Sequence, residues 1–130
     1  MTREQLLEPI VASIRRGLPV SRFEVLRYLN DWAVTPLMQD DRHVGTLVSK
    51  GTEVHVALMP GWRPAGSARR LIRSLLQPLF ERHEFLTTRV RHGRVSEKRF
   101  VERLGFSPTW RDGDHQYFIL GQLPFERKDA

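Results

Sequence analysis

The sequence predicts an α+β (mixed α/β) domain in which a mixed, mostly antiparallel central sheet is flanked by helices. Three observations lead there. Two capping boxes at the start open amphipathic segments, three short β-type runs separated by turn residues follow, and helical and strand patterns then alternate to the end. The 130 residues, 40% hydrophobic and 28% charged, suit one domain over 1–130, read as a helical part (1–31), a core (32–120) and a polar tail (121–130).

The first box is Thr2-Arg3-Glu4-Gln5, after which Leu6, Leu7, Ile10, Val11 and Ile14 recur at helical spacing until Gly17. The second, Ser21-Arg22-Phe23-Glu24, opens a shorter helix carrying Val25, Leu26 and Leu29. Three strands of a meander are then expected: Trp32 to Met38, Val44 to Ser49 and Glu53 to Met59, with turns at Asp40-Asp41-Arg42 and Lys50-Gly51-Thr52. Pro36 lacks an amide donor and so points to an edge strand or a bulge. Val54-His55-Val56-Ala57-Leu58-Met59 is almost continuously apolar, which predicts a central strand covered on both faces.

Pro60-Gly61-Trp62-Arg63-Pro64-Ala65-Gly66 breaks that strand and leads into a helix with Ile72, Leu75, Leu76, Leu79 and Phe80 on one face. Pro78 removes the bond to the Ser74 carbonyl, so a kink or an early end is expected there. A strand from Phe85 to Val90, a short helix from Ser96 to Leu104 stopped by Gly105, and a hairpin from Thr109 to Leu120 turning at Asp112-Gly113 complete the order.

Composition narrows the function. The absence of cysteine excludes a disulfide framework, a thiolate zinc site and a cysteine nucleophile. No apolar run approaches the length of a membrane span, and Met1-Thr2-Arg3-Glu4 lacks the apolar core of a secretion signal, which gives the expectation of a cytoplasmic protein without membrane contact. The formal charge is +6, and its excess lies between Pro60 and Arg103, where 11 Lys and Arg face 4 Asp and Glu. Such a segment is either a solvated face or the footprint of a phosphate-bearing partner. Nucleic acid is the weaker reading, because Trp62, Phe80, Phe85 and Phe100 sit at turn or core positions rather than on a stacking platform.

A strand, a glycine turn and a basic helix suit a pyrophosphate, because first-turn amides lack internal partners and point outward with the positive end of the helix dipole. Ala65, Gly66, Ser67 and Ala68 would present those amides, Gly66 permits close approach, and Arg63, Arg69, Arg70 and Arg73 add attraction.

Pro60-x-Trp62-Arg63-x-x-Gly66-x-Ala68-x-x-Leu71 resembles the acetyl-CoA signature of the GNAT superfamily of N-acetyltransferases, and Val101-Glu102-Arg103-Leu104-Gly105-Phe106 resembles its later Leu-Gly-Phe block. The likeness spans Trp32 to Leu120. Trp62-Arg63, Arg99-Phe100 and Asp112-Gly113-x-x-Gln116-x-Phe118 also look like small acetyltransferase-like proteins of short-tailed bacteriophages, some of them internal-virion or assembly proteins. That likeness implies an alternative: a catalytically weak or inactive protein acting in virion assembly or on a host protein, located in host cytoplasm or the virion.

The superfamily resemblance implies that acetyl-CoA is a co-substrate lying where two parallel central strands, here Glu53 to Met59 and Phe85 to Val90, splay apart. It implies an amide at Leu58 or Met59 that polarises the thioester carbonyl, and transfer to an amine of a protein or small molecule. Glu53 and His55, alternating on one strand, are candidate bases, and Arg89, Arg91 and Arg94 are within the segment that would meet the adenosine phosphates or solvent. Val101 stands where the superfamily often places an acidic Tyr, which leaves Tyr117 or His115 as substitutes. Arg94 replaces a usual Asn, and Pro64 supplies no amide. The two N-terminal helices stand in place of the superfamily's first strand, and their apolar faces are available either to the core or to a homodimer contact.

Overall fold

The computed structural model describes residues 1–61 and 68–121. The elements run α1 (Arg3–Arg15), α2 (Arg22–Tyr28), β1 (Ala33–Gln39), β2 (Arg42–Lys50), β3 (Glu53–Leu58), α3 (Ala68–His83), β4 (Leu86–Arg91), α4 (Val95–Arg103), β5 (Ser107–Arg111) and β6 (His115–Leu120). The strands are hydrogen-bonded in the order β1-β2-β3-β4-β6-β5. All neighbours whose register is defined are antiparallel except β3 and β4, which are parallel.

By internal contacts the chain forms two compact units, Met1–Lys50 with Val54–Ala68, and Gly51–Glu53 with Arg69–Ala130. In the first, both capping boxes are formed: Thr2 with Gln5 at α1, and Ser21 with Glu24 at α2, each side chain satisfying the other's backbone amide. The buried faces of the helices, Leu7, Ile10, Val11, Val25 and Leu29, join Trp32, Val48 and Ala57 in one core. Arg3 ties the helices together, since its Nη2 donates to the Leu29 and Trp32 carbonyls, both at 2.8 Å. Leu29 caps the negative end of α2, and its carbonyl also accepts from the Trp32 amide at 3.1 Å. Arg3→Met therefore lowers unfolding free energy by about 1–2 kcal/mol, read as a shifted urea midpoint with an unchanged slope.

Strand β1 is the sheet edge, with Pro36 opposite Thr46 and a bulge between Leu37 and Met38, as its missing donor requires. Asp40 and Asp41, both at positive φ (52° and 62°), make the tight turn into β2. At Gly45 of β2 a Cβ would stand 2.8 Å from the Ala57 carbonyl oxygen, so glycine permits the close approach of β2 to the end of β3.

Two expectations are refined. β3 is third in a sheet of six and thus central, with Val54 and Ala57 buried and the other four residues half-buried. The spacing of three sets the two buried residues on opposite faces of a regular strand, so each face has partial cover. Of the kink or early end expected at Pro78, the early end does not occur, since α3 continues to His83. Pro78 and Ser74 are both exposed, so the carbonyl freed by the proline faces water, while Ile72 and Leu76 are buried on the opposite side.

In the second unit β4 and β6 pair along their whole length, from Leu86↔Leu120 to Arg91↔His115. Leu86, Thr88 and Val90 are buried with Phe118 and Leu120, and these residues share one face of the pair. Helix α4 has Gly105 at φ 105° just beyond it, the stop the sequence implies.

Candidate functional site

Glu53 opens β3 opposite Thr87 of β4, and the Thr87 amide donates to the Thr52 carbonyl at 2.8 Å. Because Arg89 lies two residues beyond Thr87, it shares that face, and its Nε is 3.3 Å from a Glu53 carboxylate oxygen. Across the β4–β6 ladder Arg89 faces Tyr117 and Thr87 faces Ile119. These side chains, with Thr109 and Trp110, line a cavity of about 340 Å³. Trp110 is stacked on Tyr117 with ring centres 4.0 Å apart and planes within 9°.

The hairpin beside the cavity is held by Asp112. Its Oδ1 accepts from the amides of Asp114 and His115 at 2.8 and 2.7 Å, and its Oδ2 accepts from the Tyr117 hydroxyl at 3.0 Å. Those bonds, the His115 amide foremost, hold the Asp112 carboxyl below its ordinary range. Burial pulls His115 below its ordinary value of 6.5, and Arg89 adds to the effect against the opposing charge of Asp112. Both shifts favour the fold at higher pH. Stability from Asp112 is complete above the ordinary Asp value of 3.8 and is lost as pH falls through the lower folded value. Stability from His115 is lost as pH falls from 6.5 towards its folded value, because the unfolded chain then binds the proton first. Asp112→Asn should flatten the acid limb of stability against pH and, by removing the charge that opposes the His115 shift, deepen the His115 limb; an unchanged acid limb would show that Asp112 carries none of it.

The sequence-derived site residues divide. Glu53 and Tyr117 both line the cavity. The Tyr117 hydroxyl donates a hydrogen bond to Asp112, so its hydrogen is engaged there. His55 instead lies against Trp32, with ring centres 5.7 Å apart, next to the core of α1 and α2. The Met59 amide donates to the Val44 carbonyl at 2.9 Å, and Leu58, the other candidate thioester donor, is the last residue of β3. Arg94 Nη1 bonds Glu97 at 2.6 Å in the first turn of α4, so an anion at Arg94 would lie beside that carboxylate. Arg63, Ala65, Gly66 and Ser67 lie outside the described residues, as does the tail 122–130, while Ala68 and Arg69 begin α3.

Arg89 and Trp110 were not singled out as partners of Glu53 and Tyr117. The signal that finds Arg89 is its parity with Thr87, which becomes informative once Glu53 is known to face Thr87. Among the described residues no group of His, Asp and Glu is arranged to hold a metal ion, and no helix is long and apolar enough to cross a membrane.

No protein-family model and no curated protein matches the chain. Solved structures do match. An acetyltransferase of Bacillus subtilis in complex with CoA is similar with a TM-score of 0.67 at 13% identity, covering 95% of each chain. The N-acetyltransferase PseH of Campylobacter jejuni in complex with acetyl coenzyme A gives 0.65 at 16%, covering 94% of this chain and 93% of that one. A ribosomal-protein-alanine N-acetyltransferase from Brucella melitensis gives 0.62 at 14%, covering 94% and 96%. The chain therefore has the fold of the GNAT N-acetyltransferases. The comparisons give no link to phage proteins.

Proposed function

We propose that this chain is an acetyl-CoA-dependent N-acetyltransferase that moves an acetyl group to an amine. The observation that carries the reading is the parallel pairing of β3 with β4 in a sheet whose other defined pairs are antiparallel, within a fold shared with acetyltransferases crystallised with CoA or acetyl-CoA. The residues fit such a co-substrate. Helix α3 has no acidic side chain in its first turn, although helix N-termini favour acids there, and its sequence is basic instead. The amides of Ala65, Gly66, Ser67 and Ala68, with Arg63 and Arg69, would hold the pyrophosphate. Leu58 would offer its amide to the thioester carbonyl.

In the transfer, the amine nitrogen bonds to the acyl carbon and the carbon–sulfur bond breaks. Glu53 takes the proton released by the amine, and the departing thiolate is protonated from solvent, since Val101 stands in place of the usual acid and the Tyr117 hydroxyl is held by Asp112. Orientation of the two reactants supplies much of the acceleration without a dedicated acid.

Incubating the purified chain with acetyl-CoA and a panel of amines, and following thiol release together with the mass of the amine, tests this reading. An amine gaining one acetyl group as one thiol appears supports it. Thiol release at the spontaneous rate with every amine, in a chain shown to bind acetyl-CoA, would leave a binding protein without turnover.

A further inference from the structure

The hydroxyls and charged groups around the cavity at Glu53 are already in use. Glu53 and Arg89 are paired at 3.3 Å, and each has a further partner. The Thr87 hydroxyl is 3.2 Å from that of Thr52, and Thr109 donates to the Tyr117 carbonyl at 3.2 Å. The Tyr117 hydroxyl donates to Asp112, and buried Thr88 is likewise partnered. What the lining offers a ligand is therefore methyl groups, the Ile119 side chain and aromatic surface. Resting on the reading above, we infer that the acceptor is a small monoamine with a flat, uncharged body, and that Trp110 is the residue that selects it.

Charge decides against a polyamine or a peptide. Glu53 and Arg89 offset one another, so the lining holds no surplus acid for a second ammonium. A second ammonium, or a row of peptide amides, would lose water on entry without gaining partners. An aromatic ring carries no such cost.

Trp110 supplies the surface. One of its faces is covered by the parallel Tyr117 ring, yet the residue is 60% exposed, so the other face is open. A ring laid on that face continues the stack. The platform is braced before a ligand arrives: Asp112 holds the Tyr117 hydroxyl, Gln116 Nε2 donates to the Trp110 carbonyl at 3.1 Å, and His92 Nε2 lies 2.8 Å from the Asp112 carbonyl oxygen. Little ordering is then charged against binding. The volume of about 340 Å³ lies near the lower bound of small-molecule sites and suits one ring with a short chain. With the ring on Trp110, the amine is the ligand's polar end and is left for acetyl transfer.

The test follows acetyl transfer from acetyl-CoA to 2-phenylethylamine, n-hexylamine and spermidine by the full chain, with calorimetric titration of the same amines in the presence and absence of saturating CoA. The kcat/KM for 2-phenylethylamine should exceed that for each of the others by about tenfold or more. Trp110→Ala should erase most of that ratio, and Trp110→Phe should keep part of it, because a ring is retained. A merely structural Trp110 would lower all three rates alike and leave the ratio unmoved. Equal or faster transfer to n-hexylamine or spermidine, or a ratio unmoved in Trp110→Ala, would overturn the inference while the acetyltransferase reading stands. If none of the three is acetylated, the titrations decide. Binding of 2-phenylethylamine about tenfold tighter than the others, dependent on Trp110, upholds the selectivity and puts the acetyl-transfer reading at fault; equal or absent binding overturns the inference and leaves that reading to the wider panel of amines.

Discussion

On the proposed reading, Glu53→Gln should lower the rate of acetyl transfer by about 10²- to 10⁴-fold and leave acetyl-CoA affinity unchanged. Glutamine is nearly isosteric and its carbonyl oxygen still accepts from Arg89, so the cavity and the β3–β4 pairing at Thr87 persist. What it loses is the capacity to take a proton. The effect should fall on kcat and kcat/KM together, and Glu53→Asp should recover part of it, since the proton acceptor is kept but displaced. Stopped-assay kinetics over a range of pH measure this directly. Full activity in Glu53→Gln would assign the proton to solvent and reduce Glu53 to a partner of Arg89.

The largest loss of stability is expected at Phe118. Its side chain is 1% exposed, at the centre of β6, opposite Thr88 of β4 and Pro108 of β5. Truncation removes an aromatic ring from the middle of a three-strand ladder, where the flanking strands hold the backbone and limit collapse into the space. Phe118→Ala should therefore cost about 3–5 kcal/mol, a large share of the roughly 5–15 kcal/mol that a domain commands. Urea unfolding should show a much lower midpoint with a similar slope, whereas a loss below about 1 kcal/mol would mean that neighbouring side chains fill the site.

The two capping boxes explain why the helical start was legible. Thr2 with Gln5 and Ser21 with Glu24 act over three residues, so the sequence contains the whole interaction. The same is true of the Asp40-Asp41 turn and of the glycine stop at Gly105. At Pro78 the sequence shows the lost hydrogen bond but not that Ser74 is exposed, which lets α3 continue to His83 rather than end early. The central place of β3 was legible from its apolar run, whereas the half-burial of four of its residues depends on what packs beside them.

The candidate site was legible only in part for a related reason. Glu53 and Tyr117 could be named from residue type and place in the chain, but the Glu53–Arg89 contact spans 36 positions and depends on the register of a parallel pair. The stack of Trp110 on Tyr117 depends on the register of β5 with β6, which shifts between Pro108 and Arg111. Met59 and Arg94 show the converse. Each has the right chemistry for a ligand, and each is engaged by a neighbour, Val44 or Glu97, that no local pattern identifies.

Titration calorimetry with acetyl-CoA, on the wild-type chain and on Gly66→Glu, tests the account where it is most exposed. The account predicts saturable binding by the wild type and its loss in the variant, whose added carboxylate would sit where the diphosphate belongs, with far-UV circular dichroism unchanged. No heat of binding at millimolar acetyl-CoA, or equal affinity in the two proteins, would contradict it.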